Sequence, residues 1–388
     1  MFLRSCSLMM SSRAPLLTAL LLVGLAHAGP ESAFKSDEIE VVYQISLAPA
    51  GLTSAPNGNW LLSVSQTEKP KSRVVSVTKA GKVEPFPTQG MSESLPGDPI
   101  PLDAVEGMQL DPAGTVWMLD NGRRSELSPK IVGWQPEKNR LISVHHIGQP
   151  AIVPGSYLAD LVIDPNHPFT YISDPANGTD AALIVLDRSN GLTRRVLQGH
   201  VSVIPDLSVP LTADSAGNKS RRLDGVPTVP HCGVDPIALD RKGDWLYFAP
   251  LRSKHVYRIR TELLRDSNLE PAKLAAGVET YAEKPPTSAI TIDNKGNLYL
   301  GDPQSRAIGV IEESSRKYRI LTSDPRLVSP DGLCFGSDGK LYFFSRSQFV
   351  GPSVQTSAKS TTISLSPSYT AEHSLFRMKA LAPGRPGD

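Results

Sequence analysis

Carboxylates recur at matched places along this sequence, and carboxylates gathered on one axis hold cations or move protons. Glu106, Asp160, Asp235 and Asp331, together with Ser288, stand at or just before the start of a short apolar run. Asp120, Asp174 and Asp302 close the apolar run that follows, and Arg346 takes the same place in the last one. The unit is clearest in Glu106-Gly-Met-Gln-Leu-Asp-Pro-Ala-Gly-Thr-Val-Trp-Met-Leu-Asp120. Two strands, Met108–Leu110 and Thr115–Leu119, flank the turn Asp111-Pro-Ala-Gly114, where Pro presets φ and Gly accepts a positive one. Antiparallel pairing then leaves Glu106 and Asp120 on one edge.

Several acids converging on an axis repel one another unless something positive sits among them. Hard oxygen donors of this type suit Ca²⁺, Mg²⁺ or Mn²⁺, and Glu106, Asp235 and Asp331 are the candidate ligands. With a metal in place, Glu106 is a catalytic candidate, and His231 or Asp160 is a candidate base. Without one, the same acids hold a cationic ligand. Asp120, Asp174 and Asp302 form a second circle of binding candidates, and Arg252 and Arg346 are candidates for an anionic group. A strand-end Asp also caps turns, and for Asp111, Asp164, Asp240 and Asp293 capping is the expected role. His145-His146 lies in a strand, where only one ring can face inward. No phosphate loop, dinucleotide fingerprint, Gly-x-Ser-x-Gly elbow or paired-Cys zinc motif is present.

The elements that must position these residues repeat. Six copies align, each with an aromatic at the same beat: Trp60, Trp117, Tyr171, Tyr247, Tyr299 and Tyr342. A second hairpin follows most copies, for example Ala182–Leu186 and Thr193–Leu197 around the turn Asn190-Gly191. Four strands per copy in six copies predict an all-β fold, a six-bladed β-propeller. The blades fall near 47–90, 104–147, 158–200, 233–281, 286–323 and 329–378. The last copy lacks a fourth strand, and the unassigned run 40–46 is expected to pair beside Leu375–Met378. The ring is thus closed by pairing of N- and C-terminal strands, which removes open sheet edges. Helix is expected only at Thr261–Asp266 and around Pro271–Ala276. The stretches 200–231 and 348–366 read as long loops.

With 40 Lys+Arg against 39 Asp+Glu, the net charge of +1 gives no basis for a nucleic-acid groove. Residues 1–28 read as a signal peptide: Arg4 and Arg13, an apolar run from Ala14 to Leu25, then Ala26-His-Ala28. That run is too short for a comfortable membrane span, so a secreted or periplasmic monomer of residues 29–388 is expected, acting on a small molecule. Cys232 and Cys334 remain after Cys6 leaves, too few for a disulfide framework, and Cys334 reads as a small buried hydrophobe.

Several segments agree, in order, with a known family. Leu158-Ala-Asp-Leu-Val-Ile-Asp164, Tyr171-Ile-Ser-Asp174, Asp235-Pro-Ile-Ala-Leu-Asp240, Leu246-Tyr-Phe-Ala-Pro-Leu251, Asp331-Gly-Leu and Ser374-Leu-Phe-Arg377 resemble the yellow/major royal jelly protein family. The likeness runs from about Glu40 to Met378. It implies a secreted six-bladed propeller, some of whose relatives bind small amines in the central channel. Glu106-Gly-Met, Asp235-Pro-Ile and Asp331-Gly-Leu are also similar to channel motifs of the gluconolactonase-like propellers, which implies a divalent-metal-dependent lactone hydrolase. That group tends to carry Asn-Gly where this chain reads Asp235-Pro236.

Overall fold

The computed structural model describes residues 38–388 apart from 67–68, 126, 177, 211–231, 347–355, 358–359 and 362–372. Residues 1–28, expected to be a signal peptide, His231 and most of the two long loops therefore lie outside the described residues. Strand β1 (Glu40–Ile45) leads into blade one, formed by β2 (Pro49–Ser54), β3 (Trp60–Val64), β4 (Val74–Val77) and β5 (Val83–Pro85), and then into helix α1 (Gln89–Glu93). Blade two is β6 (Val105–Leu110), β7 (Val116–Asp120), β8 (Lys130–Gln135) and β9 (Arg140–His146). Blade three is β10 (Asp160–Ile163), β11 (Phe169–Asp174), β12 (Ala182–Asp187) and β13 (Leu192–Val196). Blade four is β14 (Val234–Leu239), β15 (Trp245–Pro250), β16 (His255–Arg260) and β17 (Glu279–Glu283). The two expected helices, α2 (Thr261–Arg265) and α3 (Pro271–Ala276), sit between its last two strands. Blade five is β18 (Ile290–Ile292), β19 (Leu298–Asp302), β20 (Ala307–Ile311) and β21 (Tyr318–Ser323). Then come β22 (Pro330–Phe335), β23 (Leu341–Arg346), a short pair β24 (Thr356–Ser357) and β25 (Ser360–Thr361), and β26 (His373–Met378).

The sixth blade is ordered β22, β23, β26, β1, so the first strand supplies its missing outer edge. Glu40 lies opposite Arg377 and Ile45 opposite His373. The Arg377 guanidinium donates to the Glu40 carboxylate at 2.5 and 2.8 Å. The fold is a closed six-bladed β-propeller.

Its core is distributed between the blades. Trp117, Leu119 and Ile131 of blade two pack on Leu161, Ile172 and Ile184 of blade three. Across the seam, Leu62 and Val75 of blade one meet Tyr342, Phe344 and Leu375 of blade six. The aromatic beat has a physical cause in the hairpin turns. The Asp111 carboxylate accepts from the backbone N–H groups of Ala113 and Thr115 and from the Trp117 indole at 2.8 Å. Asp164 likewise takes the Tyr171 hydroxyl, and Asp293 takes the Tyr299 hydroxyl at 3.0 Å. Each of these three turns is capped by its Asp and latched by the aromatic of the next strand.

Near the axis the strands crowd. A Cβ on Gly51 would lie 2.4 Å from the Glu106 carbonyl oxygen, and one on Gly107 would lie 2.9 Å from the Asp160 Cα. Only glycine lets neighbouring inner strands approach so closely.

Candidate functional site: the acid-lined channel

The inner strands β2, β6, β10, β14, β18 and β22 surround a cavity of about 80 Å³. Gly51, Gly107, Asp160, Asp235, Ser288 and Asp331 line it near the strand starts, and Gln109 and Asp388 line it further down. The structure thus brings Asp160, Asp235, Ser288 and Asp331 together, as the alignment of repeats requires.

Glu106 departs from that expectation. The strand pairing of β6 with β7 shifts register between Val105 and Met108, but β14 shifts likewise between Val234 and Ile237 and β22 between Asp331 and Cys334, so the irregularity is shared and does not set Glu106 apart. Gly107 faces the cavity in place of Glu106, whose carboxylate is buried and accepts from the Tyr157 hydroxyl at 2.7 Å and the Asn121 amide at 3.4 Å. Burial, reinforced by Glu106 and then Asp235, pushes the Tyr157 phenol well above its ordinary pKa. It is therefore a hydrogen-bond donor over the working range. Asp331 accepts from the Gly332 N–H at 2.9 Å and the Ser288 hydroxyl at 3.1 Å. Asp160 accepts from the Leu161 N–H at 2.8 Å, and the Ile237 N–H points to its other oxygen at 3.4 Å.

These donors matter for the metal expectation. Carboxylate oxygens already turned to protein N–H and O–H groups do not form an oxygen cage. Among the described residues no group of three or more His, Cys, Asp or Glu side chains is arranged to hold a metal ion. Of the three expected ligands, Glu106 and Asp331 take such donors as placed.

The second circle is corrected by the structure. Asp120 is fully buried and pairs with the Lys130 ammonium at 2.7 Å while accepting from the N–H groups of Asp103 and Ala104. Asp174 pairs with Arg195 at 2.7 Å and accepts from the Tyr157 N–H. Asp302 takes the Tyr318 hydroxyl at 2.7 Å and the Ser305 N–H at 3.0 Å. The second strand of a blade lies one strand spacing farther from the axis than the first, and these acids are held by side chains of their own blades and are not among the residues lining this cavity. Arg252 is not a channel residue either: it donates to the carbonyls of Leu207 and Val209 and braces the loop that carries them. Arg346 is the last residue of β23, opposite His373.

Sequence reasoning missed Tyr157, Asn121, Lys284 and Asp388. Tyr157 and Lys284 precede inner strands, outside the repeated unit, and Asp388 follows the last blade. The Lys284 ammonium is buried and donates to the carbonyls of Ser253 at 3.0 Å, Pro285 at 3.3 Å and Leu251 at 3.4 Å. Burial pushes it down to about 7, with Asp235 pulling the other way. Cys232 and Cys334 are buried free thiols, and Cys334 has the burial expected of a small hydrophobe. Among the described residues no helix is long and apolar enough to cross a membrane.

Comparison with known proteins agrees with this architecture. One solved structure, a putative gluconolactonase, superposes with a TM-score of 0.53 at 12% identity over 92% of this chain and 98% of its own. A luciferin-regenerating enzyme gives 0.51 at 11% identity, covering 90% of this chain and 97% of its own. The calcium-binding protein regucalcin of Agrobacterium tumefaciens str. C58 gives 0.50 at 11% identity, covering 92% and 97%. At such identities these likenesses establish the fold alone. No curated protein matches the chain significantly in sequence. The family profile described as Major royal jelly protein matches residues 104–351, which is more than half of the chain. The chain belongs to the major royal jelly protein family.

Proposed function

We propose that this protein is an exported propeller that binds a small polar or aromatic ligand by its cationic group in the central channel. The observation that carries this reading is the charge of the cavity wall. Among the described lining residues every charged side chain is a carboxylate: Asp160, Asp235, Asp331 and Asp388. A focused negative potential raises the local concentration of cations. The size of the cavity, about 80 Å³, supports an ammonium head or a few waters inside and leaves an aromatic body at the mouth. Family membership and the leader-like residues 1–28 support export to the periplasm or the medium.

The test is calorimetric titration with tyramine and with p-cresol, its neutral ring analogue. Tyramine is expected to bind and p-cresol not to. The double change Asp235→Asn with Asp331→Asn is expected to weaken tyramine at least tenfold, about 1.4 kcal/mol. Equal binding of the two probes, or an unaffected double variant, overturns the reading. The same preparation assayed for lactone hydrolysis, with and without chelator, separates the gluconolactonase-type alternative. In that reading Ca²⁺, Mg²⁺ or Mn²⁺ draws Glu106, Asp235 and Asp331 into one ligand set. Activity lost on chelation establishes it in place of amine binding.

A further inference from the structure

After β26 the chain does not leave the ring. Residues 380–388 run back beneath it and join blades that are far apart in sequence. The Tyr299 hydroxyl of blade five accepts from the Leu381 N–H at 2.8 Å, and the Asn294 N–H donates to the Pro383 carbonyl at 2.9 Å. The Arg385 guanidinium reaches the Arg241 carbonyl of blade four at 2.8 Å. Gly387 and Asp388 bond to the backbone of Phe335 in blade six at 2.9 and 2.8 Å, and the Thr53 hydroxyl of blade one donates to the Gly387 carbonyl at 3.0 Å. Blade two completes the set: the Gln109 amide donates to the Asp388 carboxyl at 2.6 Å, and a Cβ on Gly387 would lie 2.5 Å from that of Leu110.

These contacts lie on the ends of inner strands, on the hairpin turns that follow them and on the start of β19, opposite the Asp160, Asp235 and Asp331 starts, and Gly387 and Asp388 form part of the cavity wall. We propose that residues 380–388 are a pH-sensitive stopper: seated, they close the channel at this end, and ionisation of the Asp388 carboxyl on its floor loosens them.

The electrostatics follow from what faces that carboxyl. On its own segment Arg385 lies 3.6 Å away and favours the ionised form. On blade two it meets the uncharged Gln109, and on blade six the buried Cys334 thiol is within electrostatic reach. Across the cavity stand Asp160, Asp235 and Asp331, all of the sign that opposes a new negative charge. Burial is the largest influence and, against Arg385 and Gln109, it pushes the carboxyl up to about 6. Below that pH the seated segment keeps a neutral acid. Above it, seating confines a carboxylate in a poorly solvated floor, and the cost is relieved if the segment lifts. A cation in the channel offsets the same cost, so under the ligand reading above it reseats the stopper at neutral pH.

Hydrogen exchange of the full chain tests this through peptides covering 381–388 and 291–296, corrected for the intrinsic pH dependence of exchange. Protection is expected to fall about tenfold between pH 5 and pH 7.5, and Asp388→Asn is expected to stay protected at both. A corrected protection that does not change with pH in the unaltered protein overturns the proposal whether or not the variant folds. So does the same fall in Asp388→Asn. Tyramine at pH 7.5 is expected to restore protection. If titration shows no tyramine binding, the ligand reading fails while the pH profile still decides the stopper.

Discussion

Lys284 places a buried ammonium within electrostatic reach of Asp235, and its charge state is set by a balance that can be measured. Burial depresses it to about 7, whereas in the unfolded chain a lysine titrates near the ordinary 10.5. Between those values the unfolded state binds more protons than the folded state, so this group makes stability rise with pH across that window. The slope is at most about 1.4 kcal/mol per pH unit for one proton. Lys284→Met removes this pH dependence, and it also leaves the Ser253 carbonyl without its 3.0 Å donor, a separate cost of about 1–3 kcal/mol that does not vary with pH. Denaturant unfolding of both proteins from pH 7 to 9.5 should show the unaltered chain gaining stability relative to the variant. Parallel curves would mean that the ammonium stays charged on its three carbonyls.

At the scale of the strand, the starts of the inner strands decide which acids face the axis. The repeat made Asp235 and Asp331 legible as channel residues because each stands second in an inner strand, the place Glu106 takes in its own. Glu106 obeyed the same pattern, yet its carboxylate is held by the Tyr157 hydroxyl and the Asn121 amide, residues outside the repeated unit whose part no spacing announces. Asp120, Asp174 and Asp302 were legible as strand ends, but their partners Lys130, Arg195 and Tyr318 come from the third and fourth strands of the same blades. Spacing along one hairpin carries no record of those. Asp388 was illegible for a simpler reason: it belongs to no repeat. The same crowding that aims the strands gives a direct prediction. Gly107→Ala puts a methyl 2.8 Å from an Asp160 carboxylate oxygen and 2.9 Å from its Cα, and the Cα cannot yield as a side-chain tip would. Overpacking of this kind costs about 1–3 kcal/mol. Thermal unfolding should show the loss, and tyramine binding should weaken with it because Asp160 is displaced. A variant as stable as the parent would refute the close approach of β6 and β10.

For the whole molecule, the ring is secured where its two ends meet, and two kinds of contact there differ in worth. The Glu40–Arg377 pair is short but lies in solvent, where ion pairs contribute little and are screened by salt. The ladder of β1 on β26 is a different matter, because it supplies the fourth strand of blade six and covers an edge that would otherwise face solvent. Arg377→Ala should therefore leave the melting temperature within about one degree of the parent. Gln44→Pro probes the ladder itself: the Gln44 side chain is exposed, so the change acts through the backbone paired with Ser374. Proline cannot donate to the ladder and is poorly tolerated inside a paired strand. It should lower the melting temperature by several degrees and, by baring the edge of β26, produce concentration-dependent self-association in sedimentation. If Gln44→Pro stays monomeric and melts with the parent, the clasp is held by the side chains of Ile39 and Ile45 in the seams on either side, and not by the strand pairing.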